Sequence, residues 1–382
     1  MNKRSPSSPA DPRGDCSLHV TRLLLVIFCS LGGAITTAEA QPRVYMTSPC
    51  NGSTSVVDSS TNTVLTTFSV PPGPFGVAIT PDAARAYITS QSDNIVSVFD
   101  TATNSLVTTI PVGFTPSDIA IAPVGTRAYT ANAGGGGSVT VIDTATNAAL
   151  ATVPLGDQAS AIATTPDGTR VYVALAFSDS VTVIDAAMNA IVANVPVGNL
   201  PDGVAVTPDG RRAYVTNLGT DSVSVIDTST NTVTATIPVV DAPARVAVTP
   251  DGSRVYVTHS FTDAISVIDT ATNAVTAQFS IGAASFNIAI TPDGSRAYIG
   301  TKGNTYLTAL DTATNTVIAT LTDDQGRTCS NGIAITPVPL IPTSKDDCKN
   351  GGYRQFGPPA GPFRNQGQCV SFVESHSTGR AR

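Results

Sequence analysis

The sequence is poor in the residues that usually build catalytic and metal sites. Its 382 residues include three histidines, two glutamates and no tryptophan, and neither glutamate lies between residues 41 and 338. His259 is the only histidine in that range. The sequence therefore offers almost no residues for a His/Glu metal site or a Ser-His-Asp arrangement. The chain also lacks a C-x-x-C-H haem attachment motif and a P-loop, and we expect no cofactor.

Positive charge is scarce as well. Residues 41–338 contain 22 aspartates against 11 arginines and lysines, a net charge of −11. A field of this sign repels phosphate backbones, so we expect no nucleic-acid binding. It suits a cation or a basic partner.

Long apolar runs are absent outside the N-terminus. Basic residues from Lys3 to Arg22 precede the apolar residues 23–35, and Ala38-Glu39-Ala40 follows them. This order is typical of a secretory signal peptide and predicts cleavage after Ala40, with an uncleaved anchor as the alternative. We therefore expect a secreted protein, located in the periplasm, at the cell surface or in the medium, that does not span a membrane after cleavage.

Repetition decides the fold class. A tyrosine in an RVYVTN-like segment recurs every 42 residues with one step of 43, and an aspartate in a DTATN-like segment keeps the same rhythm, so there are seven units. The tyrosines are Tyr45, Tyr87, Tyr129, Tyr172, Tyr214, Tyr256 and Tyr298. The aspartates are Asp58, Asp100, Asp143, Asp185, Asp227, Asp269 and Asp311.

Each unit contains four short runs rich in Val, Ile, Thr and Ala with alternating polarity, as in VAVTP, RVYVT, ISVIDT and AVTAQF across residues 246–279. Pro-Asp-Gly separates the first two runs and Asp-Thr-Ala-Thr-Asn the last two, and both are turn sequences. Four antiparallel strands every forty-odd residues, without helical periodicity, predict an all-β fold, a seven-bladed β-propeller.

The two ends of the repeat array complement each other. The first unit lacks a first strand, and an orphan first strand, residues 332–337, follows the last unit. We expect this strand to complete the first blade, with Ile335 opposite Val44. Continuing that register places Cys329 opposite Cys50, which predicts a disulfide between them, whereas two free buried cysteines are the alternative.

The segments RVYVTH, VIDTATN and VAVTPDGSR resemble the YVTN-repeat, or YncE-like, β-propeller proteins over residues 43–337. The resemblance implies a secreted or surface-exposed propeller. The architecture is also similar to that of lactonase-type seven-bladed enzymes. Ala122-Pro123-Val124-Gly125 departs from the TPDG pattern, and Leu175 and Thr301 replace the asparagine of YVTN.

Residues 339–382 form a linker and a small tail, after the signal peptide (1–40) and the propeller (41–338). The tail resembles a C-terminal module of secreted bacterial proteins with the pattern SKDxCKNGGW followed by FKNQGxCVSFV. So short a segment needs a covalent staple, so we expect Cys348 and Cys369 to pair, with metal binding as the alternative.

Blade geometry predicts two different faces. The Pro-Asp-Gly and Asp-Thr-Ala-Thr-Asn turns share one, the repetitive face. The loops between second and third strands and between blades share the other, the varied face, where loops on a rigid frame can carry function. The arginine two residues before each repeat tyrosine is interpreted as a structural partner of the turn aspartates.

The varied face holds ten aspartates and few basic residues. These aspartates are Asp93, Asp118, Asp157, Asp179, Asp202, Asp221, Asp241, Asp263, Asp323 and Asp324. Four of them occupy one recurring loop position, and the alternative to a binding role is that they form the turn there. These four are Asp93, Asp179, Asp221 and Asp263. The candidate ligand-binding residues are Asp118, Asp157, Asp202, Arg245, His259, Phe261, Phe286 and Lys302, and Phe75, Phe114 and Phe177 are further loop aromatics, with channel lining as the alternative.

Three functions remain open from the sequence. The favoured one is a monomeric, non-enzymatic binding module that contacts a cell-envelope polymer, a peptide or a cation through the varied face. A lactonase-like hydrolase would need at least three carboxylate or imidazole groups converging at the channel mouth. An architectural cell-surface repeat would assemble with itself.

Overall fold

A computed structural model describes residues 42–301, 305–322 and 330–337. In that part of the chain every regular element is a β-strand. The proposed signal peptide, Lys302, Cys329 and the C-terminal tail lie outside the described residues.

The strands follow one another at the period of the repeat. In chain order they are β1 (Arg43–Ser48), β2 (Ser53–Asp58), β3 (Thr63–Ser69), β4 (Pro74–Ile79), β5 (Arg85–Ser90), β6 (Ile95–Asp100), β7 (Ser105–Pro111), β8 (Pro116–Ile121), β9 (Arg127–Asn132), β10 (Ser138–Asp143), β11 (Ala148–Pro154), β12 (Ala159–Thr164), β13 (Arg170–Leu175) and β14 (Ser180–Asp185). They continue with β15 (Ala190–Pro196), β16 (Pro201–Val206), β17 (Arg212–Asn217), β18 (Ser222–Asp227), β19 (Thr232–Pro238), β20 (Pro243–Val248), β21 (Arg254–His259), β22 (Ala264–Asp269), β23 (Ala274–Ser280), β24 (Ser285–Ile290), β25 (Arg296–Thr301), β26 (Thr305–Asp311), β27 (Thr316–Thr322) and β28 (Ile333–Ile335).

These strands form seven four-stranded antiparallel sheets, which are the seven blades. Blade 1 has the strand order β28-β1-β2-β3, and blades 2 to 7 each take four consecutive strands, from β4–β7 to β24–β27. Seven apolar clusters lie between neighbouring blades, and one of them joins Tyr298 and Leu307 of blade 7 to Val44 and Met46 of blade 1. The sheets therefore form a closed seven-bladed propeller, as predicted.

The closing strand is shorter than predicted but has the predicted register. Ile335 pairs with Val44, and the ladder covers three residues, 333–335, instead of six. Beyond the ladder, Thr47 N donates to Gly332 O at 3.0 Å, and Arg43 N donates to the Thr336 hydroxyl at 2.7 Å. The inner strand of blade 6 ends in the same way, where Arg254 N donates to the Thr249 hydroxyl at 3.0 Å, so the closing strand ends at the usual position of the repeat.

The repeated turn residues are needed for the conformation of the turns. In blade 6, Asp251 Oδ1 accepts hydrogen bonds from the Thr249 hydroxyl at 2.5 Å and from Ser253 N at 3.0 Å, and Gly252 has a φ of 72°. In the second turn, Asp269 Oδ1 accepts from Thr272 N at 2.8 Å, and Asn273 has a φ of 54°. Glycine and asparagine are the residues that adopt positive φ most easily.

The repeat tyrosines join neighbouring blades. All seven are buried, and six of them donate a hydroxyl hydrogen bond to the turn asparagine of the next blade. These pairs are Tyr45 and Asn104, Tyr87 and Asn147, Tyr172 and Asn231, Tyr214 and Asn273, Tyr256 and Asn315, and Tyr298 and Asn62. The tyrosine and the asparagine of the repeat are therefore two halves of one contact between blades.

Direct ion pairs confirm the interpretation of the repeat arginines as carboxylate partners for two of the seven. Arg85 and Arg170 form ion pairs of 2.5 Å with Asp100 and Asp185 of their own blades. The other five donate to backbone carbonyls in the second turn of the next blade: Arg43 to Thr101, Arg127 to Ala186, Arg212 to Thr270, Arg254 to Thr312 and Arg296 to Ser59. A guanidinium is long enough to reach the neighbouring blade, where turn carbonyls lack partners in a strand ladder.

Candidate functional site

The varied face is built from pairs of loops. In blades 2 to 6, the loop between second and third strands donates a backbone hydrogen bond to the loop that enters the same blade. The five bonds run from Gln91 to Gly73, from Ala133 to Thr115, from Ala176 to Gln158, from Leu218 to Leu200 and from Ser260 to Ala242. Blades 2 to 6 therefore have equivalent loop backbones on this face and differ in the side chains that these loops carry.

One position in these loops is a turn former. Asp179 and Asp221 have positive φ, and their carboxylates accept from the backbone N–H groups of Leu200 at 3.0 Å and Ala242 at 2.9 Å. In blade 2 this position is Asn94, which bonds Thr115 N in the same way, and not Asp93 as the sequence suggested. Asp93 lies one residue earlier and is exposed.

Four consecutive blades each expose one large apolar side chain on this face. They are Phe114 on blade 3 (64% exposed), Phe177 on blade 4 (70%), Leu200 on blade 5 (38%) and Phe261 on blade 6 (75%). We call these four residues the apolar arc. Its three phenylalanines are among the loop aromatics predicted from the sequence, whereas Leu200 is not.

The residues of the apolar arc come from two kinds of loop. Blades 4 and 6 supply Phe177 and Phe261 from the loop between second and third strands. Blades 3 and 5 have glycine at that position, and their apolar residue comes from the entering loop. A Cβ on Gly134 would lie 2.9 Å from the Phe114 Cβ, and one on Gly219 would lie 3.3 Å from Leu200 Cδ1. Each glycine thus makes room for the apolar residue opposite.

Charged residues meet at the varied-face ends of the inner strands. Asp118 of β8 accepts from Ile162 N at 3.1 Å, and Arg245 of β20 donates to Ser160 O at 3.2 Å, so both side chains reach the same bulge in β12. Arg245 also donates to the backbone carbonyl of Asp202. The structure therefore brings Asp118, Asp202 and Arg245 together, three of the candidate residues from three different blades.

The Asp118 carboxyl group is held in a poorly solvated place. Burial raises its pKa, and the Arg245 charge and the N–H groups of Ile119 and Ile162 oppose that rise. Carboxylate and guanidinium are not in direct contact, because Arg245 bonds backbone carbonyls instead. The cluster ties blades 3 to 6 together at the centre of the varied face.

Asp157 and His259 have scaffold contacts. Asp157 Oδ2 accepts from Phe177 N at 3.0 Å and from Ser178 N, and so holds the loop that carries Phe177. His259 is fully buried, with Nδ1 3.0 Å from Asp241 O and Nε2 3.0 Å from the Ser266 hydroxyl. Burial lowers its pKa, which favours the neutral form of the ring. Asn217 bonds Ser222 and Ser224 from the same position in blade 5, so the histidine replaces a structural asparagine.

The other candidates are placed only in part. Phe286 is half-buried on β24, the inner strand of blade 7. Lys302 lies outside the described residues, as do Cys329, Cys348 and Cys369. Cys50 takes part in a disulfide, whereas its pairing with Cys329 stays a prediction.

A groove opens beside the arc between blades 4 and 5. It has a volume of about 450 Å³. Its walls combine apolar residues with hydroxyl groups and one carboxylate: Pro196, Val197, Gly198, Thr220, Asp221, Ser222, Ser224, Val233, Thr236 and Pro238. Nothing in the sequence pointed to it, because Asp221 there looks like another turn former.

Among the described residues, no three His, Cys, Asp or Glu side chains lie close enough together to hold a metal ion. That stretch of the chain also contains no helix long and apolar enough to cross a membrane.

Comparison with known proteins supports the fold. No family model matches the sequence, and no curated protein sequence matches it either. Hydrazine synthase of Kuenenia stuttgartiensis is similar in structure, with 26% identity and a TM-score of 0.58 over 63% of this chain and 77% of that chain. A functionally unknown protein from Desulfotomaculum acetoxidans has 18% identity and a TM-score of 0.69 over 77% and 99% of the two chains. Dihydro-heme d1 dehydrogenase NirN, in complex with DHE, has 15% identity and a TM-score of 0.59 over 76% and 74%.

Proposed function

We propose that this protein is a secreted, non-enzymatic binding module that contacts its ligand through the varied face. The apolar arc is the observation that supports this most directly. Exposing aromatic side chains to water is energetically unfavourable. A group of such side chains exposed on one face is typical of a recognition surface. Three phenylalanines on blades 3, 4 and 6 are at least 64% exposed on this face, in a chain that has no tryptophan.

The loops that carry the apolar arc are held rigidly. The loops that carry it are bonded to each other by backbone hydrogen bonds, and Asp157 fixes the backbone of Phe177. A preorganised surface loses little conformational entropy on binding. The Asp118–Arg245 cluster supports the same face from below by joining the inner strands of blades 3 to 6.

An enzymatic function has less support. Two of the similar structures carry enzyme names, but a propeller fold is compatible with many unrelated functions. A hydrolase of the kind considered above needs a converging set of ligands or catalytic groups, and the described residues offer Asp118 and Asp202 beside an arginine.

The test is a binding screen of the mature protein against envelope polymers, peptides and cations, repeated with a variant that replaces Phe114, Phe177 and Phe261 by serine. A matched control replaces three exposed apolar residues of outer strands, Leu65, Leu106 and Val317, by serine. We expect the first variant to lose binding and the second to keep it. No binding to any class together with measurable turnover would overturn the proposal.

A further inference from the structure

We propose that the partner is a basic polypeptide segment, with a lysine or arginine side chain in the groove at Asp221 and apolar side chains against Leu200 and Phe261. This inference rests on the proposed function and adds the chemistry of the ligand. It is carried by the charge of the face, the lining of the groove and the position of the groove next to the arc.

The charge of the varied face calls for a cationic partner. The described residues of this face include eight aspartates and one arginine, Arg245, while His259 is fully buried. Asp221, Asp241 and Asp263 are exposed and lie on blades 5 and 6 or in the loop between them. Opposite charge across an interface speeds association and excludes wrong partners.

The groove suits a long basic side chain. Pro196, Val197 and Val233 give it apolar walls, while Thr220, Ser222 and Asp221 provide oxygen atoms. A lysine or arginine has the same division, with an apolar stem and a charged end. One oxygen of Asp221 bonds Ala242 N, and its other oxygen has no hydrogen bond to any described residue.

The position of the groove argues for a polypeptide over a small cation. Gly198, in its wall, lies two residues before Leu200, so an occupant of the groove is next to the arc. A small polyamine would use Asp221 and leave Leu200 and Phe261 uncovered. A polypeptide places apolar side chains beside its basic residue and covers both.

The chain itself provides a conservative test. In Asp221→Asn the turn hydrogen bond to Ala242 N is retained, because Asn94 makes the same bond in blade 2. Asp93→Asn is the matched control, since it removes one exposed carboxylate from the same face on blade 2, away from the groove.

The experiment measures the affinity of the full mature protein for synthetic peptides with a central lysine flanked by leucine and phenylalanine. Matched peptides carry glutamine in place of lysine, or serine in place of the apolar residues, and spermidine alone is a further probe. We expect the lysine peptides to bind, both matched sets to bind about tenfold more weakly, and Asp221→Asn to lose about tenfold while Asp93→Asn changes the affinity less than twofold.

Four results would overturn the inference: no binding of any lysine peptide, equal binding of the glutamine peptides, equal losses in the two variants, or spermidine binding as tightly as the peptides. None of these would by itself refute the proposed function. That proposal fails if no class of ligand binds while turnover is measured, or if the arc variant binds the ligands found in the screen as well as the native protein does.

Discussion

The hydroxyl of Tyr298 in blade 7 donates a hydrogen bond of 2.6 Å to Asn62 Oδ1 in blade 1, across 236 residues of sequence. The same contact joins Tyr172 to Asn231 in adjacent blades inside the array, at 2.9 Å. The interface that closes the ring is therefore built like the others, although its two blades come from opposite ends of the repeat array.

Replacing Tyr298 by phenylalanine removes this hydrogen bond and leaves the ring in place. We expect a loss of about 1 kcal/mol in the free energy of unfolding, and the same loss for Tyr172→Phe, because a typical net hydrogen bond has that magnitude. Denaturant unfolding measures both values. If Tyr298→Phe leaves the free energy of unfolding unchanged while Tyr172→Phe lowers it, the closing interface contributes little to stability and the prediction is wrong.

Alkaline pH should unfold the propeller through its buried tyrosines. Burial raises the pKa of Tyr87, Tyr172 and Tyr298 to about 12. The unfolded chain, with tyrosine pKa values near 10, then binds fewer protons than the native state, so stability is full below pH 10 and falls as the pH rises towards 12.

Absorbance of tyrosinate and circular dichroism, followed together, test this pH dependence. We expect most of the tyrosinate signal to appear with the loss of β-structure, well above pH 10. Titration of the repeat tyrosines near pH 10 with the sheet signal intact would contradict the prediction.

Ala83→Gly should stabilise the protein. Ala83 has a φ of 57° in the first turn of blade 2, where blade 6 has Gly252 with a φ of 72°. A left-handed conformation costs an alanine about 1 to 2 kcal/mol, and the greater freedom of glycine in the unfolded chain offsets part of the gain. We expect the free energy of unfolding to rise by about 0.5 to 1 kcal/mol.

Gly252→Ala is the reciprocal control for this turn. An added Cβ meets only the Pro208 Cδ at 3.6 Å, an ordinary contact, so backbone strain alone acts there. We expect a loss of similar size. If both substitutions shift stability in the same direction, positive φ is not the cause.

Arg245→Met should raise the pKa of Asp118 further. The guanidinium charge opposes the rise that burial causes, and methionine fills similar space without that charge. Carboxyl chemical shifts in a pH titration by NMR measure the change, and Asp227, on the repetitive face, is the internal reference. An unchanged Asp118 pKa would mean that solvent, and not Arg245, sets its charge.

The repeat explains why so much of the fold was predictable. Tyr45 and its six counterparts recur with the turn aspartates, and this rhythm fixed the number of blades, the strand order and the pairing of Ile335 with Val44. The arginines were harder, because the sequence indicated a turn aspartate as the partner of each, whereas the Arg43 side chain donates to Thr101 O in the next blade.

The candidate site was predictable only in its face and part of its composition. The varied loops were identified, and Asp118, Asp202 and Arg245 do meet there, but Asp157 and His259 proved to hold loops and strands together. Leu200 and the groove at Asp221 were not foreseen, because neither has a pattern along the chain.

The sequence by itself determined the all-β class, the seven units, the closure by the two ends and the division into a repetitive and a varied face. These features depend on local patterns, namely alternation in strands and turn residues that adopt positive φ, and repetition makes such patterns readable. Only the tertiary structure decided which side chains of different blades come together. Contacts between blades join residues 21, 44 or 85 positions apart, as in Asp221 with Ala242, Asp118 with Ile162 and Arg245 with Ser160. Those distances in sequence follow from how the sheets are packed around the ring, and no local pattern encodes them.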